Sequence, residues 1–145
     1  MSCVVKIRPA KEEDMDKGLL ETLDNLNDGS SGMSVQSAKG ILRSIDSTTT
    51  TILVAVYCDS VVGAGTLLIE QKLIHNGGKV GHIEDIVTRK GYERKGIATL
   101  IVVELIDIAK MSGCYKVILD CSKNNIVFYR KLGFREYETG MRLDL

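Results

Sequence analysis

Gly81-His82-Ile83-Glu84-Asp85-Ile86-Val87-Thr88-Arg89-Lys90-Gly91-Tyr92-Glu93-Arg94-Lys95-Gly96-Ile97-Ala98-Thr99 is the stretch around which the chain is organised. Its first half alternates and is β-branched at Ile83, Ile86, Val87 and Thr88, which suits a strand with a buried face. Its second half is basic and holds two glycines, Gly91 and Gly96. An apolar run of helical period, Ile97 to Met111, follows at once. Strand, basic glycine loop and helix together make an anion site. The first amides of a helix lack internal partners and carry the positive end of its dipole. Gly96 and Ala98 are small, so the backbone can approach a phosphate closely. Glu84 and Asp85 are adjacent carboxylates, and strand alternation sends their side chains to opposite faces.

The chain's 145 residues fit one domain, 1–145. Nineteen basic residues balance nineteen acidic ones, so bulk charge favours neither nucleic acid nor an anionic membrane. The local basic loop Arg89, Lys90, Arg94, Lys95 suits a small anion; a solvated turn is the plainer reading of it. The cysteines are Cys3, Cys58, Cys114 and Cys121. They form no Cys-x-x-Cys pair, and His75 and His82 complete no zinc pattern, so no metal is expected. Cys58 and Cys121 lie in strand-like runs and read as buried thiols in a reducing compartment. With no signal-peptide profile and no apolar run of membrane length, a soluble, cytoplasmic protein is expected.

Outward from the central stretch, Val4 to Arg8 reads as a strand ended by Pro9. Glu12 to Leu26 reads as a helix with Met15, Leu19, Leu23 and Leu26 on one face and Asp14 near its positive end. Asn27 to Gly32 breaks the chain. Ser34 caps a second helix, Val35 to Ile45. Ile52 to Cys58 and Val61 to Glu70 are antiparallel strands around a turn at Asp59-Ser60. Gly63 and Gly65 inside the second strand signal a bulge or close packing. His75-Asn76-Gly77-Gly78 is a further hairpin into the Gly81 strand. After the Ile97 helix, Gly113 marks the stop. Lys116 to Cys121 is a strand parallel to the Gly81 strand through a right-handed crossover. A short helix, Asn124 to Leu132, and a last strand, Phe134 to Leu143, complete an α+β domain: a mixed, mostly antiparallel sheet.

Two parallel strands joined by a crossover can splay at their C-terminal ends into a crevice. The anion loop opens at one such end and Asp120 lies at the other. Asn125 and Tyr129, four apart, share a helix face, so acid, phenol and anion site can converge there.

These residues resemble the GNAT superfamily of N-acetyltransferases, with helices on both faces of the sheet. The run Glu93-Arg94-Lys95-Gly96-Ile97-Ala98 is similar to the acetyl-CoA loop Arg/Gln-x-x-Gly-x-Gly/Ala, and Asn125 to Phe134 is similar to the helix motif Asn-x-x-x-Phe-Tyr-x-x-x-Gly-Phe. Lys72-Leu73-Ile74-His75, Gly81 to Val87 and Gly113 to Cys121 narrow the resemblance to the glucosamine 6-phosphate N-acetyltransferase family.

That resemblance implies acetyl transfer from acetyl-CoA to the 2-amino group of glucosamine 6-phosphate in UDP-N-acetylglucosamine biosynthesis. It implies direct attack without metal or acyl-enzyme, in a homodimer with shared sites. Arg94, Lys95, Gly96, Ile97, Ala98 and Thr99 would wrap the pyrophosphate. Ile86, Val87 and Thr88 would pair with the pantetheine arm, and Asn125 would also contact the cofactor. Glu84, Asp85 and Ile86 would line the sugar. Asp120 would orient the amine, with Glu84 beside it as a second catalytic carboxylate. Tyr129 would stabilise the leaving thiolate. Lys72, Leu73, Ile74 and His75, with Tyr115 and Lys116, would meet the sugar and its phosphate. Two departures stand out. Glu93 occupies the place of an arginine or glutamine, and Asp144 that of a C-terminal phosphate-binding arginine, for which Arg142 is the candidate substitute. An early substrate contact of the family falls near Asn27 or Asp28. The alternatives are an acetyltransferase for another small amine or a peptide, and a catalytically silent acetyl-CoA-binding module.

Overall fold

The computed structural model describes residues 2–26 and 29–145, so the chain break expected at Asn27 and Asp28, and the early substrate contact, lie outside the described residues. Five strands form one sheet in the order β1-β2-β3-β4-β5. They are β1 (Lys6–Pro9), β2 (Thr50–Tyr57), β3 (Ser60–Gln71), β4 (Lys79–Thr88) and β5 (Cys114–Ile118). The first four run antiparallel in sequence, and β5 pairs parallel to β4, as the crossover reading requires. Pro9 falls within β1 rather than after it. Because β1 is an edge strand, the missing N–H breaks no ladder there.

Helices cover both faces. On one, α4 (Ile97–Met111) buries Ile101, Val102, Leu105 and Ala109 against Leu53, Ala55, Val62, Leu67 and Ile83. On the other, Met15, Leu19, Leu20 and Ala38 pack on Val54, Val61, Ala64 and Val87. Gly63 and Gly65 are there for the first packing. A Cβ on Gly65 would lie 2.6 Å from both Ile101 Cγ2 and Ile86 Cδ1, and one on Gly63 would lie 2.7 Å from Ile97 Cγ2. The register of β3 against β4 also shifts beside Gly65, so both readings of these glycines hold.

The helix expected over Glu12 to Leu26 is two pieces. A 3-10 turn, Glu12–Asp16, is followed by α1 (Leu19–Leu23). Gly18 separates them at φ 94°, and a Cβ there would lie 2.6 Å from Arg89 Nη1. Asp14 has no exposed surface. The Arg8 guanidinium donates to both of its carboxylate oxygens at 2.7 and 2.8 Å, and the Lys11 N–H donates at 2.7 Å. This tertiary clamp, rather than helical period, fixes the first turn. The second helix, α2 (Val35–Ser44), begins as expected, with Ser34 accepting from the Ser37 N–H.

Other boundaries shift for local reasons. The β2–β3 turn is Cys58-Asp59, both at positive φ, with Tyr57 paired to Ser60. The hairpin expected at His75 to Gly78 is an irregular turn, α3 (Ile74–Gly77), with His75 and Asn76 left-handed. β5 ends at Ile118, so Asp120 lies beyond it. The segment after Phe134 forms no strand; β5 is the sheet's outer strand and the chain lays no further one beside it. The last helix is a 3-10 turn at Lys123–Asn125 leading into α5 (Ile126–Lys131). Cys58 is exposed and disulfide-bonded to Cys3, and Cys121 is exposed, so neither is a buried thiol. No described helix is long and apolar enough to cross a membrane.

Burial alone would raise the Asp14 pKa. The hydrogen bonds from Arg8 and Lys11 and the charge of Arg8 outweigh it and hold the carboxyl below its usual range. Its stabilising contribution is therefore full above the unfolded carboxylate value of about 3.9 and fades as pH falls through the lower folded value. Asp14→Ala, which leaves Arg8 facing a vacated site, is expected to cost about 3 kcal/mol at neutral pH. Urea unfolding of both proteins across the acid range should show that gap closing below about pH 4.

Candidate active site

The site begins where β4 and β5 part. Their pairing runs from Lys79↔Cys114 to His82↔Ile118 and goes no further. Beyond it, β4 bulges: Thr66 faces Glu84, Ala64 faces Val87, and Asp85 is left-handed at φ 54°. The extra residue shifts the phase of the strand. Ile83 and Ile86, three apart, both pack toward α4, whereas Val87 joins the opposite core. Glu84 and Asp85 are therefore not a simple opposite-face pair; both reach solvent at the bulge. Ile86 to Thr88 continue along an edge that β5 has left.

Three carboxylates gather here. The Glu84 carboxyl is held above its usual range by burial of its surroundings, then by the charges of Asp85 and Asp120, with His82 opposing. Asp120 thus lies within electrostatic reach of Glu84 although β5 stops two residues before it. Tyr129, on α5, is 91% buried, being 9% exposed. Its ring is edge-on to Phe128 and Phe134, at 4.9 and 5.7 Å between centroids. Burial, followed by the nearby Cys121 thiol, raises the phenol's pKa. At neutral pH it is a protonated donor. Asn125 is exposed in the turn before α5 and does not share Tyr129's environment.

At the other mouth lies the anion loop. Gly91, Arg94 and Gly96 have positive φ, and Gly96 is the left-handed residue immediately before α4. Lys95 Nζ sits 5.2 Å from the Tyr92 ring. Ile97 is buried as the first residue of α4, with Ala98 and Thr99 behind it. Of the four basic residues, Arg89 turns away toward Gly18 and the Val61 carbonyl.

A second cluster surrounds the start of β5. His75 lies 4.3 Å from the Tyr115 ring, and Lys116 Nζ lies 5.7 and 5.4 Å from the Tyr115 and Tyr137 rings. Lys72 is 3.0 Å from Glu70, whose same oxygen is 2.9 Å from His82 Nε2. Leu73 and Ile74 are exposed on the adjoining turn. Arg142 is not brought in: it is exposed and ion-paired at 2.7 Å with Asp144, two residues on. Sequence reasoning missed Glu70. Its diagonal, cross-strand relation to His82 was the available signal, since Glu70 pairs with Val80.

A parallel strand pair that parts at His82↔Ile118, a glycine loop at the start of α4 and a buried phenol on α5 match the N-acetyltransferase arrangement. The acetyltransferase (GNAT) family model matches residues 20–134, and the chain belongs to that family. The chain is 34% identical to a glucosamine 6-phosphate N-acetyltransferase of Dictyostelium discoideum, over 97% of this chain and 91% of that one. It is 43% identical to the Trypanosoma brucei brucei protein of the same name, over 65% of this chain and 67% of that one. The crystal structure of glucosamine-6-phosphate N-acetyltransferase from Arabidopsis thaliana superimposes with a TM-score of 0.92 at 34% identity, covering 97% of this chain and 98% of that one.

Removing the Asp120 charge should relax Glu84. In Asp120→Asn, a carboxyl-carbon NMR titration is expected to show Glu84 ionising at lower pH than in the parent protein, because one repelling charge is gone. An unmoved Glu84 titration would separate the two residues.

Proposed function

We propose that the chain transfers the acetyl group of acetyl-CoA to the 2-amino group of glucosamine 6-phosphate, giving N-acetylglucosamine 6-phosphate for UDP-N-acetylglucosamine synthesis. The observation that carries this is the end of β4–β5 pairing at His82↔Ile118, beyond which Glu84 lies within electrostatic reach of Asp85 and Asp120. The relatives named above, two of them matched along nearly the whole chain, support the choice of acceptor.

An amine attacks a thioester only when neutral. Asp120 and Glu84 are the groups to orient it and draw off its proton. The raised pKa of Glu84 makes it a stronger proton acceptor than an ordinary carboxylate. The attack creates an oxyanion, for which a backbone N–H on the open edge of Ile86 to Thr88 is the natural donor, worth about 3 kcal/mol. Tyr129 gives a proton to the departing thiolate, for which its elevated pKa keeps the phenol loaded. Arg94 to Thr99 hold the pyrophosphate through amides and charge. Lys72, His75, Tyr115 and Lys116 receive the sugar phosphate.

Tyr115 and Lys116 stand at the opposite end of β5 from Asp120. A second copy of the chain, presenting its own β5 start to this site, would unite them in a homodimer. Supporting this, Leu73 is 98% exposed and Ile74 61%, β5 is an open edge, and the following segment exposes Tyr137, Met141 and Leu143. An apolar patch next to an unpaired strand edge calls for a partner.

Acetyl-CoA consumption measured over a panel of amines tests the reading. Glucosamine 6-phosphate is expected to exceed glucosamine by about a hundredfold in kcat/KM, equivalent to about 2.7 kcal/mol. Lys116→Ala should erase much of that preference. Equal rates, or activity only on polyamines or peptides, would instead favour another amine as acceptor, which the pairing of Arg142 with Asp144 leaves open. Tyr129→Phe should lower kcat by about a hundredfold with CoA affinity retained; an unchanged kcat in a chemistry-limited assay refutes the acid role. Sedimentation velocity is expected to show a dimer, and a fully active monomer would contradict the shared site.

A further inference from the structure

Glu93 stands where the acetyl-CoA loop pattern has arginine or glutamine, and a carboxylate beside a pyrophosphate should repel it. The structure gives it different work. Its Oε2 accepts the Gly91 N–H at 2.7 Å, and its Oε1 accepts from Asn25 Nδ2 at 3.2 Å. The same Asn25 nitrogen donates to the Thr88 carbonyl at 2.7 Å. Asn25 lies just past the end of α1, where its own N–H donates to Thr22 O. One amide group therefore ties the end of β4 and the anion loop to α1. Both Glu93 oxygens are engaged within the protein.

We propose that Asn25 and Glu93 are positioning residues that clasp the acyl-donor loop in its binding shape, so that Glu93 strengthens CoA binding instead of opposing it. The inference rests on the acetyl-CoA reading above. The loop needs such help: Gly91, Arg94 and Gly96 all sit at positive φ, and a free loop samples many other shapes. Holding it before the ligand arrives lowers the ordering cost of binding. Hydrogen bonds from its own N–H and from Gly91 keep the Glu93 carboxyl below its usual range, so it remains an acceptor at neutral pH. Asp24, next to Asn25, accepts the N–H groups of Ser30 and Ser31. The end of α1 thereby holds segments on both of its sides.

The test separates two opposite signs. If Glu93 merely repels phosphate, Glu93→Ala and Glu93→Gln tighten CoA binding. If it clasps the loop, Glu93→Ala and Asn25→Ala each weaken CoA binding by about fivefold or more, by calorimetry. The double variant should weaken it by less than the product of the two single losses, because the two changes share the Asn25–Glu93 hydrogen bond while each removes one of its own. Glu93→Gln should fall between, since its one oxygen can serve Gly91 or Asn25 but not both. KM for acetyl-CoA should rise with kcat and the acceptor KM unchanged, and thermal unfolding should not shift. The Gly91 amide should exchange faster with deuterium in Glu93→Ala. Unchanged or tighter binding in Glu93→Ala, or additive losses in the double variant, overturns the clasp. No CoA binding by the parent protein would overturn the acetyl-CoA reading and the clasp with it.

Discussion

The parting of β4 from β5 is the constraint on which the rest depends. Parallel strands give up their mutual hydrogen bonds only if something else satisfies or replaces them. Here pairing ends at His82↔Ile118, and the left-handed residue Asp85 bends β4 within three residues. The cost is a stretch of β4, Ile86 to Thr88, that β5 no longer pairs, with the Thr88 carbonyl taken up by Asn25 instead. The gain is a stretch of β4 free of β5, with Asp120 beyond the end of β5 within electrostatic reach of Glu84. The proposed catalytic carboxylates lie where the two strands part, whereas the residues proposed for the sugar phosphate lie at the far end of β5.

Keeping the strands parted requires rigid walls. Gly63, Gly65 and Gly81 let α4 settle close against the sheet. A Cβ on Gly81 would lie 3.1 Å from Leu67 Cδ1 and 3.4 Å from both Ala109 Cβ and Val117 Cγ2. That close seat fixes the start of α4, and with it the left-handed Gly96 turn that precedes it. On the opposite face, the Arg8–Asp14 clamp and the Gly18 turn set α1 beside β3 and β4, which places Asn25 next to Thr88 and Glu93. The binding loop is thus held by packing on one side and by hydrogen bonds on the other.

The sequence disclosed what depends on local pattern. The β4–loop–α4 unit, the parallel crossover to β5, the Ser34 cap and the close packing at Gly63 and Gly65 follow from periodicity and small residues. What it concealed depends on distant partners. Asp14 reads as a dipole-facing surface acid until Arg8 is placed beside it, and Gly18 reads as helix interior until Arg89 occupies the space over it. The phase shift at Asp85 leaves no mark in an alternating run, which is why Glu84 and Asp85 were assigned to opposite faces. Phe134 to Leu143 has strand-like composition and passes beside β5, with Tyr137 near Lys116 and Gly140 near Asp120, yet it makes no strand pairing. Asn25 carried no periodic signal, and the oddity of Glu93 became intelligible only once its two donors were known.

In the reaction proposed above, the stretch of β4 left by β5 receives the acyl donor's pantetheine arm in its place. Amide hydrogen exchange of Ile86, Val87 and Thr88, with and without CoA, tests this most directly. Saturating CoA is expected to slow exchange at one or more of these amides and at the amides following Gly96, while the already paired Val80 and Gly81 stay unchanged. Protection confined to the loop, with Ile86 to Thr88 exchanging as fast as before, would contradict it.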